Sequence, residues 1–294
     1  MTAAKRDRVA TGLDLYDRTA QDAAATVIAR YSTSFALACR LLGPRPRPHV
    51  RVIYALVRVA DEIVDGPAAA AGLSASEAGR VLDELESETL TAVARGFSAN
   101  LVVHAFARTA RECGIGEELI RPFFASMRTD LSTSRHDDAS HDAYVYGSAE
   151  VVGLMCLQVF VNAGARHPKT PAPDLVDGAR RLGAAFQDVN FLRDLDHDAD
   201  ALGRDYLGLA SGAATRESVL DRIDSDLAAA AAAIPHLPAD CRRAVTVAHD
   251  LFGELAARLR SATDRSQRVR VPDLVKARLA ARAWLGLSPR DSRT

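Results

Sequence analysis

The stretch RVIYALVRVADEIVD (51–65) decides the fold. Its polar residues Tyr54, Arg58, Asp61 and Asp65 stand at offsets 0, 4, 7 and 11. At about 3.6 residues per turn they share one face of a helix. Around them lie Ile53, Ala55, Leu56, Val57, Val59, Ala60, Ile63 and Val64. A helix that is apolar on nearly every other side is a buried one, so its polar stripe lines an interior space. A second stretch, FQDVNFLRDLDHD (186–198), repeats the device with Gln187, Asn190, Asp194 and Asp198 at offsets 0, 3, 7 and 11. Each stripe ends in two aspartates one turn apart. Turned toward each other, the stripes make a cage of four carboxylates with an arginine, a tyrosine and two amides around it.

The rest of the chain reads as helix too. Apolar spacing predicts helices over 20–42, 48–65, 74–95, 97–113, 117–134, 139–164, 174–197, 215–233, 239–262 and 272–286, with no alternating strand pattern. Pro44, Pro46 and Pro48 separate the first two helices, Pro168, Pro171 and Pro173 mark a surface loop, and Pro235 and Pro238 part the last long pair. Ser74 and Glu77 form a capping-box pattern. No linker or composition step divides the 294 residues. The expected fold class is therefore all-α: a single domain over 1–294, with its core at about 25–287, built as a helical bundle around a central cavity.

Composition narrows the function classes. Net charge is −1 with a pI near 6.7, which gives no electrostatic footprint for nucleic acid. Cys39, Cys113, Cys156 and Cys241 are widely spaced and read as reduced thiols. The N-terminal residues lack the apolar run of a signal peptide. The most apolar segment, 151–165, is interrupted by Gln158 and Asn162 and falls short of the roughly 20 residues that span a bilayer. A cytoplasmic protein is the expectation.

A lone DxxxD on a helix is most simply a solvated face. Here the stripe sits on an apolar helix, recurs 133 residues on, and comes with Arg58 and Arg193. Buried carboxylates are costly unless paired or bound to a metal. Mg²⁺ (or Mn²⁺) takes one or two carboxylates together with substrate phosphates and water. Arginines grip the outer phosphate oxygens. A diphosphate held this way is a good leaving group, and the carbocation left behind needs a dry, apolar cavity.

Four segments, YSTSF (31–35), RVIYALVRVADEIVD (51–65), YVYGSAEVVGLM (144–155) and QDVNFLRDLDHDADALGRDYL (187–207), resemble the motifs of the squalene/phytoene synthase family, in family order. The resemblance covers roughly 25 to 285. It implies the all-α isoprenoid synthase bundle and head-to-head condensation of two prenyl diphosphates through a cyclopropylcarbinyl diphosphate. Similarity is greatest to bacterial members that use geranylgeranyl diphosphate without a reductant. By that resemblance Asp61, Asp65, Asp194 and Asp198 hold Mg²⁺, with Asn190 assisting. Tyr31, Ser32, Thr33, Ser34, Phe35, Tyr54, Arg58, Gln187, Asn190 and Arg193 contact substrate. Tyr146 lies beside the reacting carbons. Three departures stand out. Ser148-Ala149-Glu150 replaces the usual Val-Ala-Gly, the stretch from Asp198 to Arg204 and Tyr206 is one residue longer, and Thr263 stands near the place of a common C-terminal tyrosine.

Other residues carry weaker signals. His197 reads as an exposed or supporting histidine, and Asp188 and Asp196 lie off the stripe as solvated or supporting groups. Asp130 is either a plain surface aspartate or a water-mediated metal contact. Met127 and Met155 read as core. No glycine-rich nucleotide fingerprint is present, and no NADPH requirement is expected. From Arg258 to Arg293 ten Lys/Arg face three aspartates, with Val271, Leu274, Val275, Leu279 and Trp284 interleaved. This segment is either an ordinary packed last helix with a basic outer face or a peripheral contact with an anionic membrane. Enzyme alternatives are farnesyl-diphosphate users of the same family and a terpene cyclase. The alternative of another class is a non-catalytic helical partner subunit.

Overall fold

The computed structural model describes residues 12–131, 138–202, 207, 209, 212, 214–262, 269–286 and 288–289. The side chains of 34, 138–140 and 195–202 lie outside that description. In chain order the helices are α1 (Leu13–Tyr31), α2 (Ser34–Leu41), α3 (Arg47–Val64), the short α4 (Pro67–Ala70), α5 (Ala75–Arg95), α6 (Leu101–Cys113), α7 (Glu117–Thr129) and α8 (Asp138–Val145). A π-helical turn (Tyr146–Glu150) leads into α9 (Val151–Asn162), followed by α10 (Pro173–Leu202), α11 (Arg216–Ala233), α12 (Ala239–Ser261) and α13 (Asp273–Trp284). No strand occurs among the described residues.

α3 forms where the stripe predicts. A proline in its first turn presets φ and needs no helical N–H partner. Val52, Ile53, Ala55, Leu56, Ala60 and Val64 are buried. The Asp65 N–H donates to the Asp61 carbonyl at 2.8 Å and closes the last turn. Around α3 pack α1, α5, α6, α7 and α9. This first core includes the fully buried Phe106, Phe123 and Phe124, each contributing about 1.5–3 kcal/mol. A second core joins α10, α11, α12 and α13 through Val189, Val219, Ile223, Leu227, Leu251 and Leu279. α9 packs against both α3 and α10 and so sits between the two cores. The run His141–Asn162 is long and apolar enough to cross a membrane by length and composition. In this fold it packs against α3, α6, α7 and α10.

The expected helices differ in several places: α1 begins at Leu13, α7 ends at Thr129 and α10 runs to Leu202, against the expected 20, 134 and 197. The single helix over 20–42 is broken at Ser32, whose backbone is extended (φ −138°, ψ 128°). The Ser32 Oγ accepts the Phe35 N–H at 3.0 Å, so a side chain takes the place of a helical carbonyl. α6 starts four residues later than expected, because the Asn100 side chain accepts the Val102 and Val103 N–H groups and caps the helix there. The helix expected over 139–164 widens into a π turn at Tyr146–Glu150. The capping box at Ser74 and Glu77 forms as read. All four cysteines are free thiols.

Candidate active site between the two aspartate helices

Phe35 joins α3 and α10, the helices that carry the two stripes. Its ring lies 6.3 Å from Tyr54 on α3, 6.1 Å from Phe186 on α10 and 5.9 Å from Phe252 on α12. Phe186 and Phe252 stack at 3.8 Å. The break at Ser32 allows this, because it turns α2 out of line with α1 and leaves Tyr31 52% and Phe35 37% exposed. The side chain of Ser34 lies outside the described residues, and Thr33 is exposed. Burial pushes the half-buried Tyr54 hydroxyl above its usual range, opposed by Arg58 and by a hydrogen bond with Ser32.

One turn on, the Arg58 guanidinium lies 4.7 Å above the Tyr31 ring. It is paired with Glu62, a partner the sequence reading did not single out. The Arg58 Nε is buried and has no hydrogen-bond partner. An unmet buried donor is costly, and a charged one more so. A phosphate oxygen would satisfy it.

The far end is acidic. Burial, then the charge of Asp65, push the Asp61 carboxyl up to about 7, with Asp130 and Glu62 adding to the rise and Arg58 opposing it. Asp65 is exposed at the end of α3. Asp130 is buried, so the reading of it as a plain surface aspartate is corrected: its Oδ2 accepts the Tyr144 hydroxyl at 2.9 Å. The Tyr144 ring lies 5.9 Å from Phe191, which directly follows Asn190 on α10. This chain of contacts links α3 to α10 at the aspartate end, as Phe35 links them at the other.

On α10, Gln187, Asn190, Arg193 and Asp194 are all half-buried. Arg193 donates from Nε and Nη2 to both oxygens of Asp194, at 3.0 and 2.8 Å. The side chain of Asp198 lies outside the described residues, as do those of Asp196 and His197 and the whole of Arg204, Tyr206 and Thr263. Asp188 is not solvated. It is buried against Arg222 at 2.8 Å and His141 at 3.3 Å, and anchors the back of α10.

Tyr146 lies on the π turn, half-buried and packed against the first core. Arg180 of α10 places its guanidinium 5.5 Å from that ring and donates to Glu150 at 2.6 Å. Sequence reasoning missed Arg180, because it lies seven residues before Gln187 with no motif around it.

Among the described residues no three His, Cys, Asp or Glu side chains converge tightly enough to chelate a bare ion. The carboxylates fit a divalent cation such as Mg²⁺ in another way, since that ion keeps phosphate and water ligands and needs only one or two carboxylates. Burial is the main cause of the raised Asp61 carboxyl and the charges of Asp65 and Asp130 add to it; a nearby cation would favour the charged form.

The chain is similar to several known proteins. It is 27% identical over 289 residues to a phytoene synthase from Pseudescherichia vulneris, covering 88% of this chain and 90% of that protein. It is 32% identical over 192 residues to a phytoene synthase from Arthrospira platensis, covering 62% and 59%. It is also 32% identical over 189 residues to a chloroplastic phytoene synthase of Solanum lycopersicum, of whose length it spans 44%. The fold matches a dehydrosqualene synthase solved in complex with a ligand (TM-score 0.75, 22% identity, 92% and 98% covered). It also matches a squalene synthase from Alicyclobacillus acidocaldarius (TM-score 0.67, 17% identity, 84% and 95% covered). The sequence pattern of the squalene/phytoene synthase family matches residues 28–212, a span that holds the YSTSF loop, both stripes and Tyr146, and the chain belongs to that family of prenyltransferases.

Proposed function

We propose that this protein is a phytoene synthase, joining two geranylgeranyl diphosphates head to head through a cyclopropylcarbinyl diphosphate. The observation that supports the proposal is that contacts run between α3 and α10, the helices that carry the two stripes, at both ends of the first stripe. Phe35 bridges them at one end, Asp130, Tyr144 and Phe191 at the other, and the unmet Arg58 Nε lies between. The aspartates Asp61, Asp65, Asp194 and Asp198, with Asn190, would hold Mg²⁺, which neutralises the diphosphate and makes it a leaving group. Arg58 binds the outer phosphate oxygens through its planar fork. Arg193 exchanges its grip on Asp194 for a phosphate oxygen. Tyr54, Gln187 and the 31–35 loop orient the head group. The apolar faces of α3, α9 and α10 keep water from the allylic cation. Tyr146, packed against the first core, lies beside the reacting carbons and its hydroxyl, with a water, accepts the final proton.

The reaction ends in proton loss, so no NADPH is consumed. The protein works in the cytoplasm, against the inner face of a membrane that receives the hydrocarbon. α13 is the contact: Leu274 is 83% and Trp284 66% exposed, beside Arg270, Arg278 and Arg243. The test is to incubate purified protein with Mg²⁺ and either geranylgeranyl or farnesyl diphosphate, with and without NADPH, and to weigh the hydrocarbon. Phytoene from the longer substrate, equal in both cases, is expected. A product two hydrogens heavier that needs NADPH, a hydrocarbon only from the shorter substrate, or accumulation of the cyclopropyl diphosphate each overturns the assignment.

A further inference from the structure

Glu150 ends the π turn, and its side chain is only 15% exposed. It accepts the Arg180 Nε–H at 2.6 Å, and the same guanidinium lies 5.5 Å from the Tyr146 ring centroid. The turn that carries these groups has little room to move. A Cβ on Gly147 would fall 2.4 Å from the Pro122 carbonyl oxygen, and one on Gly183 would fall 2.7 Å from the Ala149 carbonyl oxygen. The turn is thus clamped between α7 and α10. Within it Tyr146 has the first hydrophobic core on one side and Arg180 on the other. A guanidinium over an aromatic face is attracted by the ring quadrupole and fixes the ring's attitude. It also places a full positive charge beside that ring. Glu150 cancels the charge at short range.

We propose that Glu150 and Arg180 are a positioning pair: Arg180 sets the attitude of the Tyr146 ring, and Glu150 neutralises Arg180 so that a carbocation can form next to that ring. The inference rests on the reading of Tyr146 as the residue beside the reacting carbons. It gives a physical role to a carboxylate that is held at the end of the π turn with its side chain only 15% exposed. Losing Glu150 alone leaves an uncompensated cation facing a developing cation. Losing both charges removes the conflict.

The experiment compares Glu150→Gln, Arg180→Gln and the double variant with the wild type, using geranylgeranyl diphosphate and Mg²⁺. Glu150→Gln is expected to lower kcat about tenfold or more and to leave KM within about twofold, because the diphosphate is held elsewhere. The double variant is expected to recover most of that loss. If Glu150→Gln keeps wild-type kcat, or if it and the double variant lose activity equally and in step with their Tm, the pair is only structural and the proposal fails. A second readout needs no turnover. With 3-fluorotyrosine placed at position 146 in the metal-free protein, Glu150→Gln and Arg180→Gln should each shift or broaden the fluorine resonance. An unmoved resonance in both overturns the positioning role. A wild type that makes no hydrocarbon would sink the functional reading instead, and the fluorine spectrum would still decide the pair.

Discussion

The Tyr144 hydroxyl donates to Asp130 at 2.9 Å, and both residues are buried. The bond joins the end of α7 to α8 beside the field of Asp61, while the Tyr144 ring meets Phe191 of α10. It therefore fixes the spacing of the two stripes at their acidic end. Tyr144→Phe keeps the ring and deletes the donor, leaving a buried carboxylate with one partner fewer. The expected cost is about 1–3 kcal/mol of stability, read from the denaturant midpoint, with a higher Mg²⁺ requirement for turnover. Unchanged values of both would show that the bond does not set the spacing.

The Asp61 carboxyl gives a pH signature. Burial and Asp65 raise it to about 7 in the metal-free protein. The ordinary carboxylate loses its proton near 4. Between about 4 and 7 the folded state therefore holds a proton that the unfolded chain has released, and stability falls as pH rises through that window. In chelator, Tm should drop between pH 5 and 7.5, and Asp61→Asn should flatten the drop. At pH 7.5 Mg²⁺ should raise the wild-type Tm and not that of Asp61→Asn, which should also lack turnover. Parallel pH curves for the two proteins would contradict the assignment.

The helices and the stripes were legible because burial writes itself into spacing: α3 and α10 lie where Tyr54 to Asp65 and Gln187 to Asp198 place them. The break at Ser32 was not legible, because Ala, Val and Ile before it and Ala, Leu and Cys after it keep a helical period and the competing bond is made by a serine three residues from Phe35. The π turn at Tyr146–Glu150 was hidden for a similar reason, since one extra residue in a turn leaves composition unchanged. The burial of Asp130, which decides between its two readings, and Arg180 became visible only in three dimensions. Their partners Tyr144 and Glu150 lie 14 and 30 residues away in sequence.

Arg58 tests the reading of the diphosphate end. It lies over Tyr31, pairs with Glu62 and keeps a buried Nε without a partner. Lysine has no such nitrogen and cannot make a planar two-point contact. Arg58→Lys should lower kcat/KM at least about tenfold while leaving the fold intact by circular dichroism. A loss under about threefold, below 1 kcal/mol, would mean that Arg58 does not touch phosphate.

The outer face of α13 makes the last prediction. Leu274, Ala277, Arg278, Ala281, Trp284 and Leu285 are all exposed. Their offsets of 0, 3, 4, 7, 10 and 11 make one continuous stripe. The opposite side is buried at Leu279 and Ala283, so the helix is held to the bundle with its apolar stripe outward. Arg243 lies 6.0 Å from the Trp284 ring and Arg270 is exposed at the head of the helix, which puts cations at the rim of the stripe. An apolar face with basic flanks binds at the headgroup boundary of anionic bilayers, and its attraction weakens with salt. Trp284 is the only tryptophan of the chain, so its fluorescence reports this face alone. Vesicles of phosphatidylglycerol should shift its emission to shorter wavelength and sediment the protein, less so at high salt. Phosphatidylcholine vesicles should do little. Leu274→Glu with Leu285→Glu should abolish the shift without loss of soluble turnover on dispersed substrate. An emission spectrum that no vesicle moves would leave α13 as a packed terminal helix and remove the membrane from the account.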